Sequence, residues 1–314
     1  MQRLPWHNEY PLDADRVAAI LRSDLAGELT VGHVEPLGEG WDFTTFLVDG
    51  EWVFRFPKRR QSARQLARER KLLAALAPAL ANQPIAIPDY RFSISTPKAF
   101  PLAYVGYRVL RGTPLLECDR DALDHTALGR QLGAFLARLE SAAPSPRPRI
   151  YYDPFPSDWI EFRHELSDAK ASLPAPIAAA CERLLATTPK PDDAPPLFGH
   201  CDLGAEHILV DTANSRITAV IDWGDAGWGN RVADLVGLWA WGGDAAVQST
   251  LPTWGHVLSP DDWIRLRLWG VAYAIGSAYY GYKDRRERLH ATALGWLDRM
   301  NCYGQLRDPA TPDR

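Results

Sequence analysis

The stretch from Leu197 to Asp225, LFGHCDLGAEHILVDTANSRITAVIDWGD, limits what the chain can fold into more than any other. An apolar strand end (Leu197, Phe198) leads into a short polar loop, His200-Cys201-Asp202. The apolar run Ile208 to Val210 follows, then turn residues Asp211 to Ser215. A second apolar run, Ile217 to Ile221, breaks at Asp222-Trp223-Gly224-Asp225. Two short buried strands are therefore expected, with Asp202 before the first and Asp222 after the second. Paired as a hairpin, they bring both carboxylates towards one rim. An acid that accepts a hydroxyl proton beside an acid that holds Mg²⁺ is what phosphoryl transfer needs.

An H-x-D-L-x-x-x-N loop followed by a D-x-G segment is the catalytic signature of protein kinases. The variant here, HCDLGAEHILVD and then VIDWGDAGWGN, resembles the aminoglycoside and macrolide phosphotransferase family of small-molecule kinases. The position matching the Asn is His207, and imidazole is a softer ligand than an amide oxygen and a poor choice for Mg²⁺. Some antibiotic kinases of the family also carry His there. The resemblance implies an α+β, two-lobed, protein-kinase-like fold. Its small β-rich N-lobe, residues 1–110, would bind the nucleotide, and its larger, mainly helical C-lobe, residues 111–314, would carry catalysis and the acceptor. It also implies roles: Asp202 orients the acceptor hydroxyl and takes its proton, and Asp222 binds the Mg²⁺ that bridges the phosphates. His207 either completes a metal site or hydrogen-bonds the Asp202 loop. His200 anchors the loop backbone, and Asp234 braces it.

Residues 13 to 24 read as an amphipathic helix with Asp13 or Asp15 at its start. A strand near Val31 to Leu37 precedes Gly38-Glu39-Gly40-Trp41-Asp42. Two β-rich runs follow, Phe43 to Val48 and Glu51 to Phe56, and Asp49-Gly50 between them is a two-residue hairpin signal. Gly38 and Gly40 read either as an ordinary turn or as a hairpin tip folded over phosphates, where a backbone without Cβ can approach closely. Arg55 lies on an alternating strand and faces away from Phe54 and Phe56. It stands where the kinase pattern has Lys, and a guanidinium can bridge phosphate oxygens in a bidentate way. The bland alternative is a solvent-facing Arg in a basic cluster with Lys58, Arg59 and Arg60. A helix from Ser62 to Leu80 carries Glu69, by family analogy the ion-pair partner of Arg55 and otherwise a residue on a solvated face. The strand Leu102 to Leu110 ends the first lobe, and the resemblance places the adenine or guanine base against Tyr107, Val109 and Leu110.

Beyond residue 110 helices are expected over 121–142, 158–170, 176–187, from Arg231, from Ser259-Pro260 to Tyr282, and over 284–302. Proline-rich connections lie at 144–156 and 189–196, and the final DPATPDR reads as disordered. Most of the twelve tryptophans lie beyond Trp223 and read as packing residues. Some, with Tyr279, Tyr280 and Tyr282, are candidates for an acceptor pocket. Glu206, Asp225, Asp244 and Asp298 would lend such a pocket negative character for a cationic acceptor.

The chain has 314 residues, 46% of them apolar, enough to bury a large core, and its formal charge of −4 is spread without long single-sign runs. That argues against nucleic acid as a partner and suits a cationic small molecule. The cysteines at 118, 181, 201 and 302 show no paired spacing and read as free thiols in a reducing compartment. No stretch reads as a signal peptide or membrane span, so a soluble cytoplasmic protein with no obligate protein partner is expected. His200, Cys201 and His207 could suggest zinc, but their spacing matches no common structural site. A Cys201–His nucleophile pair is possible on residue types alone. The expected activity is transfer of the γ-phosphoryl group of ATP or GTP to a hydroxyl, with Mg²⁺. The acceptor resembles that of aminoglycoside 2″-phosphotransferases most closely, with macrolide 2′-phosphotransferases next and sugar, choline or homoserine kinases as metabolic alternatives. From another class, a degenerate kinase-like protein that binds nucleotide without turnover is fed by Arg55 for Lys and His207 for Asn.

Overall fold

The computed structural model describes residues 6–145, 166–167, 169–186 and 194–302. The chain forms two compact units, Met1–Arg111 with Ala219–Gly224, and Gly112–Thr218 with Asp225–Arg314. A boundary read from composition alone places 219–224 with the second unit. The structure places that strip with the first.

In the first unit the strands are β1 (Val34–Glu39), β2 (Phe43–Val48), β3 (Trp52–Pro57), β4 (Phe92–Ile94) and β5 (Tyr104–Arg108). They make one antiparallel sheet in the order β1-β2-β3-β5-β4. Asp49 and Gly50 take positive φ, 52° and 68°, so the β2–β3 turn twists as its strands do. Alternation along β3 then sorts its side chains. Phe54 and Phe56 join Phe46, Phe92, Phe100 and Tyr104 in a core closed by Val17, Ile20 and Leu21 of α1 (Ala14–Asp24). Asp13 caps α1 by accepting the Arg16 N–H at 2.8 Å. On the opposite face α2 (Arg60–Leu80) packs Leu66 against Phe43 and Val105, and Arg55 points to that side. The 219–224 strip is tied in by its main chain: the Val220 N–H donates to Ala86 O at 2.9 Å.

The second unit holds α3 (His125–Ser141) and helices Ala175–Leu185, Val236–Trp254, Pro260–Lys283 and Glu287–Cys302. Its short strands are β6 (Thr113–Pro114), β7 (Leu197–Gly199), β8 (Ile208–Asp211), β9 (Arg216–Val220, continuing into the 219–224 strip) and β10 (Gly227–Gly229). They pair as β6-β8-β9 and β10-β7. Ser259 and Asp262 form a reciprocal capping box at the start of the Pro260–Lys283 helix, the arrangement its sequence predicts. Trp239, Trp241, Trp254, Trp269 and Trp296 are buried, which fits packing rather than a pocket. No helix of the described residues is long and apolar enough to cross a membrane.

Several expected boundaries move. The helix expected from Asp121 begins at His125, because Asp124 accepts the Ala127 N–H at 2.9 Å and caps it there. The helix expected from Arg231 begins at Val236, after a 3₁₀ turn at Ala233–Leu235, and this tighter turn holds the Asp234 carboxylate towards β7. The expected strands at 31–37 and 102–110 are observed at 34–39 and 104–108. Most of the expected helix 158–170, both proline-rich connections and the last residues lie outside the described residues.

Helix α3 lies against Val236–Trp254 at very short range. An alanine Cβ at Gly133 would stand 2.1 Å from the Thr250 carbonyl oxygen, and one at Gly129 would stand 3.1 Å from that of Ala246. On propensity alone Gly→Ala within a helix stabilises by about 1 kcal/mol. Backbone in the way reverses the sign, so Gly133→Ala is expected to lower the unfolding free energy by about 1–3 kcal/mol. The urea midpoint of the variant checks this, with an unchanged slope. A variant more stable than the parent would contradict the close approach.

Candidate active site

In the first unit the site is built around Arg55. Its side chain keeps 5% of its exposure, and Nη1 lies 2.7 Å from Glu69 Oε1 while Nη2 lies 2.7 Å from Asp222 Oδ1. Nη1 also donates to the Tyr90 hydroxyl at 2.8 Å, and the guanidinium sits 4.2 Å from the Phe43 ring centroid. The solvent-facing reading of Arg55 is thereby excluded, as is a solvated Glu69, whose side chain is fully buried. Burial works against the charge on Arg55, yet the Asp222 and Glu69 carboxylates hold its pKa above the ordinary value. Burial pushes the Glu69 carboxyl up, Asp222 adds to the rise, and Arg55 offsets part of it. The Tyr90 hydroxyl donates to Glu69 Oε1, and the Trp223 N–H donates to the same oxygen at 3.3 Å. Asp222 adopts a left-handed backbone, φ 63°, a conformation Asp tolerates better than most residues. With 43% of its side chain exposed, Asp222 suits a hard cation such as Mg²⁺, which fills most of its shell with waters and phosphate oxygens.

The turn at Gly38 to Asp42 is fastened at its base. Gly40 N–H donates to Phe43 O at 2.8 Å, and the Thr45 hydroxyl donates to Gly38 O at 2.8 Å. Lys58, buried like Arg55, donates to Gly40 O at 3.0 Å and pairs with Glu39 at 2.8 Å. The turn itself does not require glycine at 38 or 40. An added Cβ would meet its nearest neighbours at 3.6 and 3.9 Å, which is ordinary contact, and neither residue is left-handed. Among the expected base-binding residues, Tyr107 is buried against Tyr90, and burial pushes its hydroxyl up to about 12. The Val109 N–H donates to Glu51 O at 2.8 Å. Leu110 is half-buried.

In the second unit Asp202 follows Cys201, which is also left-handed, φ 62°. Asp234 holds that bend by accepting two successive N–H groups, from His200 at 2.9 Å and Cys201 at 2.6 Å. Burial raises the Asp234 carboxyl to about 6, although both N–H bonds oppose the rise. The loop then closes on itself, with the Gly204 N–H donating to Asp202 O at 2.9 Å and the His207 N–H to Gly204 O at 3.0 Å. His207 Nδ1 lies 2.7 Å from Asp202 O. A carbonyl only accepts, so this contact makes Nδ1 a protonated nitrogen, and in the neutral ring the lone pair is on Nε2. The loop contact expected for His207 is present. The Cys201 thiol is pushed well up by burial and by Asp234, Asp225 and Asp202. It is therefore no thiolate nucleophile. Among the described residues no three His, Cys, Asp or Glu side chains come together as a metal cluster, which removes the zinc reading of His200, Cys201 and His207.

The expected acceptor residues are distributed differently. Glu206 is half-buried and accepts from the Tyr273 hydroxyl, 2.9 and 2.8 Å from its two oxygens. Asp225 and Asp298 are exposed. Asp244 is a correction: it is buried, bound by Arg267, and accepts from Trp239 Nε1 at 2.7 Å. Its charge is neutralised within the helical core and is closed to an incoming cation. Tyr279 is half-buried beneath Lys283, whose Nζ lies 5.4 Å from the ring centroid. Tyr90, Phe43, Lys58 and Tyr273 take part in these arrangements, and no local spacing in the sequence marks their parts.

Comparison with known proteins places this geometry in a known setting. Residues 33–269 match the model of a phosphotransferase enzyme family. The GDP and kanamycin complex of APH(2")-IIia is 22% identical, with a TM-score of 0.67, over 91% of this chain and 98% of that one. The GDP complex of wild-type aminoglycoside 2'-phosphotransferase-IIIa is also 22% identical, with a TM-score of 0.67, over 93% of this chain and 99% of that one. The apoenzyme of the macrolide 2'-phosphotransferase MphH from Brachybacterium faecium is 25% identical, with a TM-score of 0.58, over 90% of this chain and 98% of that one.

The raised Asp234 pKa makes a signed prediction. A carboxyl that titrates near 6 when folded and near 3.9 when unfolded is harder to ionise in the native state. Its contribution therefore lowers stability as pH rises from about 4 to about 6, by up to about 3 kcal/mol, and is constant above that. The Asp234→Asn variant is expected to lack this slope when unfolding is followed by denaturant across that range. Parallel pH profiles for parent and variant would remove Asp234 as its source.

Proposed function

The chain belongs to the phosphotransferase enzyme family, and from that premise we propose that it moves the γ-phosphoryl group of ATP or GTP to a hydroxyl of an antibiotic, most closely an aminoglycoside. The observation that carries this reading is the buried Arg55, held between Glu69 and Asp222. A strand cation paired with a helix carboxylate is the ion pair that kinase sites keep beside the phosphates, and the acid of the D-x-G segment is the group that holds their Mg²⁺. Asp222 would hold Mg²⁺, which would supply charge neutralisation at the phosphates. Asp202 accepts the acceptor's hydroxyl proton as the new O–P bond forms, and the bond from the γ-phosphorus to the bridging oxygen breaks to release the nucleoside diphosphate. Asp234 keeps Asp202 in place through the loop backbone, and His207 braces the same loop.

Glycine at 38 and 40 leaves the tip of the turn without Cβ atoms, which lets a polyphosphate approach its backbone closely and so supports donor binding there. Solved relatives bind GDP and kanamycin, which supports a purine nucleotide donor and an aminoglycoside acceptor. The half-buried Glu206 and exposed Asp225 suit the ammonium groups of such an acceptor. The macrolide 2'-phosphotransferase is nearly as similar in fold, so a macrolide hydroxyl is the second reading. Cys118, Cys181 and Cys201 are free thiols, in keeping with a cytoplasmic enzyme.

The purified chain, with Mg²⁺ and either ATP or GTP, is to be presented with a panel of aminoglycosides, macrolides and simple sugar alcohols. Product mass is expected to rise by one phosphate for one class. Asp202→Asn is expected to lower the rate by about 10²–10⁴-fold while nucleotide binding persists. An undiminished rate would remove Asp202 as the base. Nucleotide binding without transfer to any acceptor would favour a non-catalytic nucleotide binder, and absence of nucleotide binding would overturn the reading altogether.

Gly40→Ala provides an independent check. Its unfolding free energy is expected to change by less than about 1 kcal/mol, because the Cβ meets no close neighbour, while the donor KM rises and the acceptor KM stays put. A large loss of stability instead would mean the turn itself needs glycine there.

A further inference from the structure

A two-glycine turn with exposed side chains is ordinarily loose, because few buried contacts oppose its opening. The Gly38 to Asp42 turn is held by the segment that precedes α1. Trp6 is buried at 4% exposure, and its ring centroid lies 4.6 Å from that of Trp41, at the tip of the turn, with planes inclined at 56°. Asn8 Nδ2 lies 3.4 Å from Glu39 Oε1 and donates to the Thr44 hydroxyl at 3.3 Å. Glu9 N–H donates to Lys58 O at 2.9 Å. Lys58 in turn reaches Gly40 O and Glu39 through its ammonium group. The segment is shaped before it arrives, since Asn8 Oδ1 accepts the Tyr10 N–H at 3.0 Å, and Tyr10 packs edge-on against Phe100 of the core, 6.1 Å between centroids. A segment anchored in the core thus reaches the turn's tip, its acid and the lysine beneath it.

We propose that Trp6 to Tyr10 is a strap that, through Trp41 and Lys58, fixes the height of the Gly38–Asp42 turn and so sets donor affinity without touching the donor. Trp6 and Lys58 are positioning residues. The proposal rests on the reading of this turn as the cover over the donor phosphates. A strap of this kind acts on the nucleotide alone. The acceptor and the transfer step feel it only through the donor.

The test uses the full chain with Trp6→Ala, Trp6→Phe and Trp41→Ala. Steady-state kinetics give kcat and the KM of donor and acceptor, and hydrogen exchange follows the amides of 37–44 with and without MgADP or MgGDP. Trp6→Ala is expected to raise donor KM about tenfold, roughly what losing one buried aromatic pair is worth. Acceptor KM and kcat stay within about twofold, turn amides exchange several-fold faster, and Trp6→Phe restores most of the difference. Trp41→Ala removes the same contact from the exposed side and decides the matter should Trp6→Ala not fold. Unchanged donor KM together with unchanged turn exchange would overturn the strap, as would equal losses for donor and acceptor. A parent chain that binds no nucleotide fails the functional reading instead, and turn exchange in the free protein still decides whether the strap holds the turn.

Discussion

Taking a guanidinium out of water costs several kcal/mol unless its charge and its hydrogen bonds are met, and the first unit is arranged to meet both for Arg55. β3 turns it away from the phenylalanine core, α2 supplies Glu69, and the 219–224 strip supplies Asp222. Tyr90 accepts a further N–H, and Phe43 offers its ring face. Few other positions in a sheet of this size could be so expensive to leave half-solved. A cation fixed in that way is preorganised, with no reorganisation left for the moment when a polyphosphate arrives. The same carboxylate that stabilises Arg55 is the exposed acid suited to a metal, so the structural and chemical roles of Asp222 are coupled.

The second unit solves a parallel problem with the opposite sign of charge. Its reactive loop carries a left-handed residue just before Asp202, and the first unit carries one at Asp222 itself. Such backbone costs of order 1–3 kcal/mol and persists only where surrounding structure determines it. For Cys201 the determining group is Asp234, a buried carboxylate held by two main-chain N–H groups. Glycine at 199 is part of that arrangement, since a Cβ there would fall 2.3 Å from the Asp234 carboxylate. The clamp and the tight approach select each other.

What could be seen in the sequence beforehand follows the range of the forces involved. The Asp49-Gly50 hairpin and the Ser259 cap were legible, and the first helix's cap was narrowed to Asp13 or Asp15, because each is decided within a few residues. Alternation placed Arg55 away from Phe54 and Phe56, but its partner came from resemblance, since nothing local relates residue 55 to residue 69. Tyr90, Lys58 and Tyr273 were not legible, because only tertiary packing brings them to their partners. Asp244 misled for the same reason: an acid on an aromatic-rich helix looks available until Arg267 is known to lie against it. The helix expected from Arg231 began late because the 3₁₀ turn serves the loop that Asp234 clamps, so a tertiary demand overrode local propensity.

The ownership of residues 219–224 has a bearing on how the chain can be divided. The first unit is discontinuous: its last strip arrives after a long excursion through the other. A fragment ending at Arg111 would contain Arg55 and Glu69 but lack Asp222, leaving the guanidinium with one of its two carboxylates, and it would lack the main-chain bond to Ala86. No single cut therefore separates the protein into two self-sufficient modules. Exchange of the first unit between related chains has to carry that strip with it.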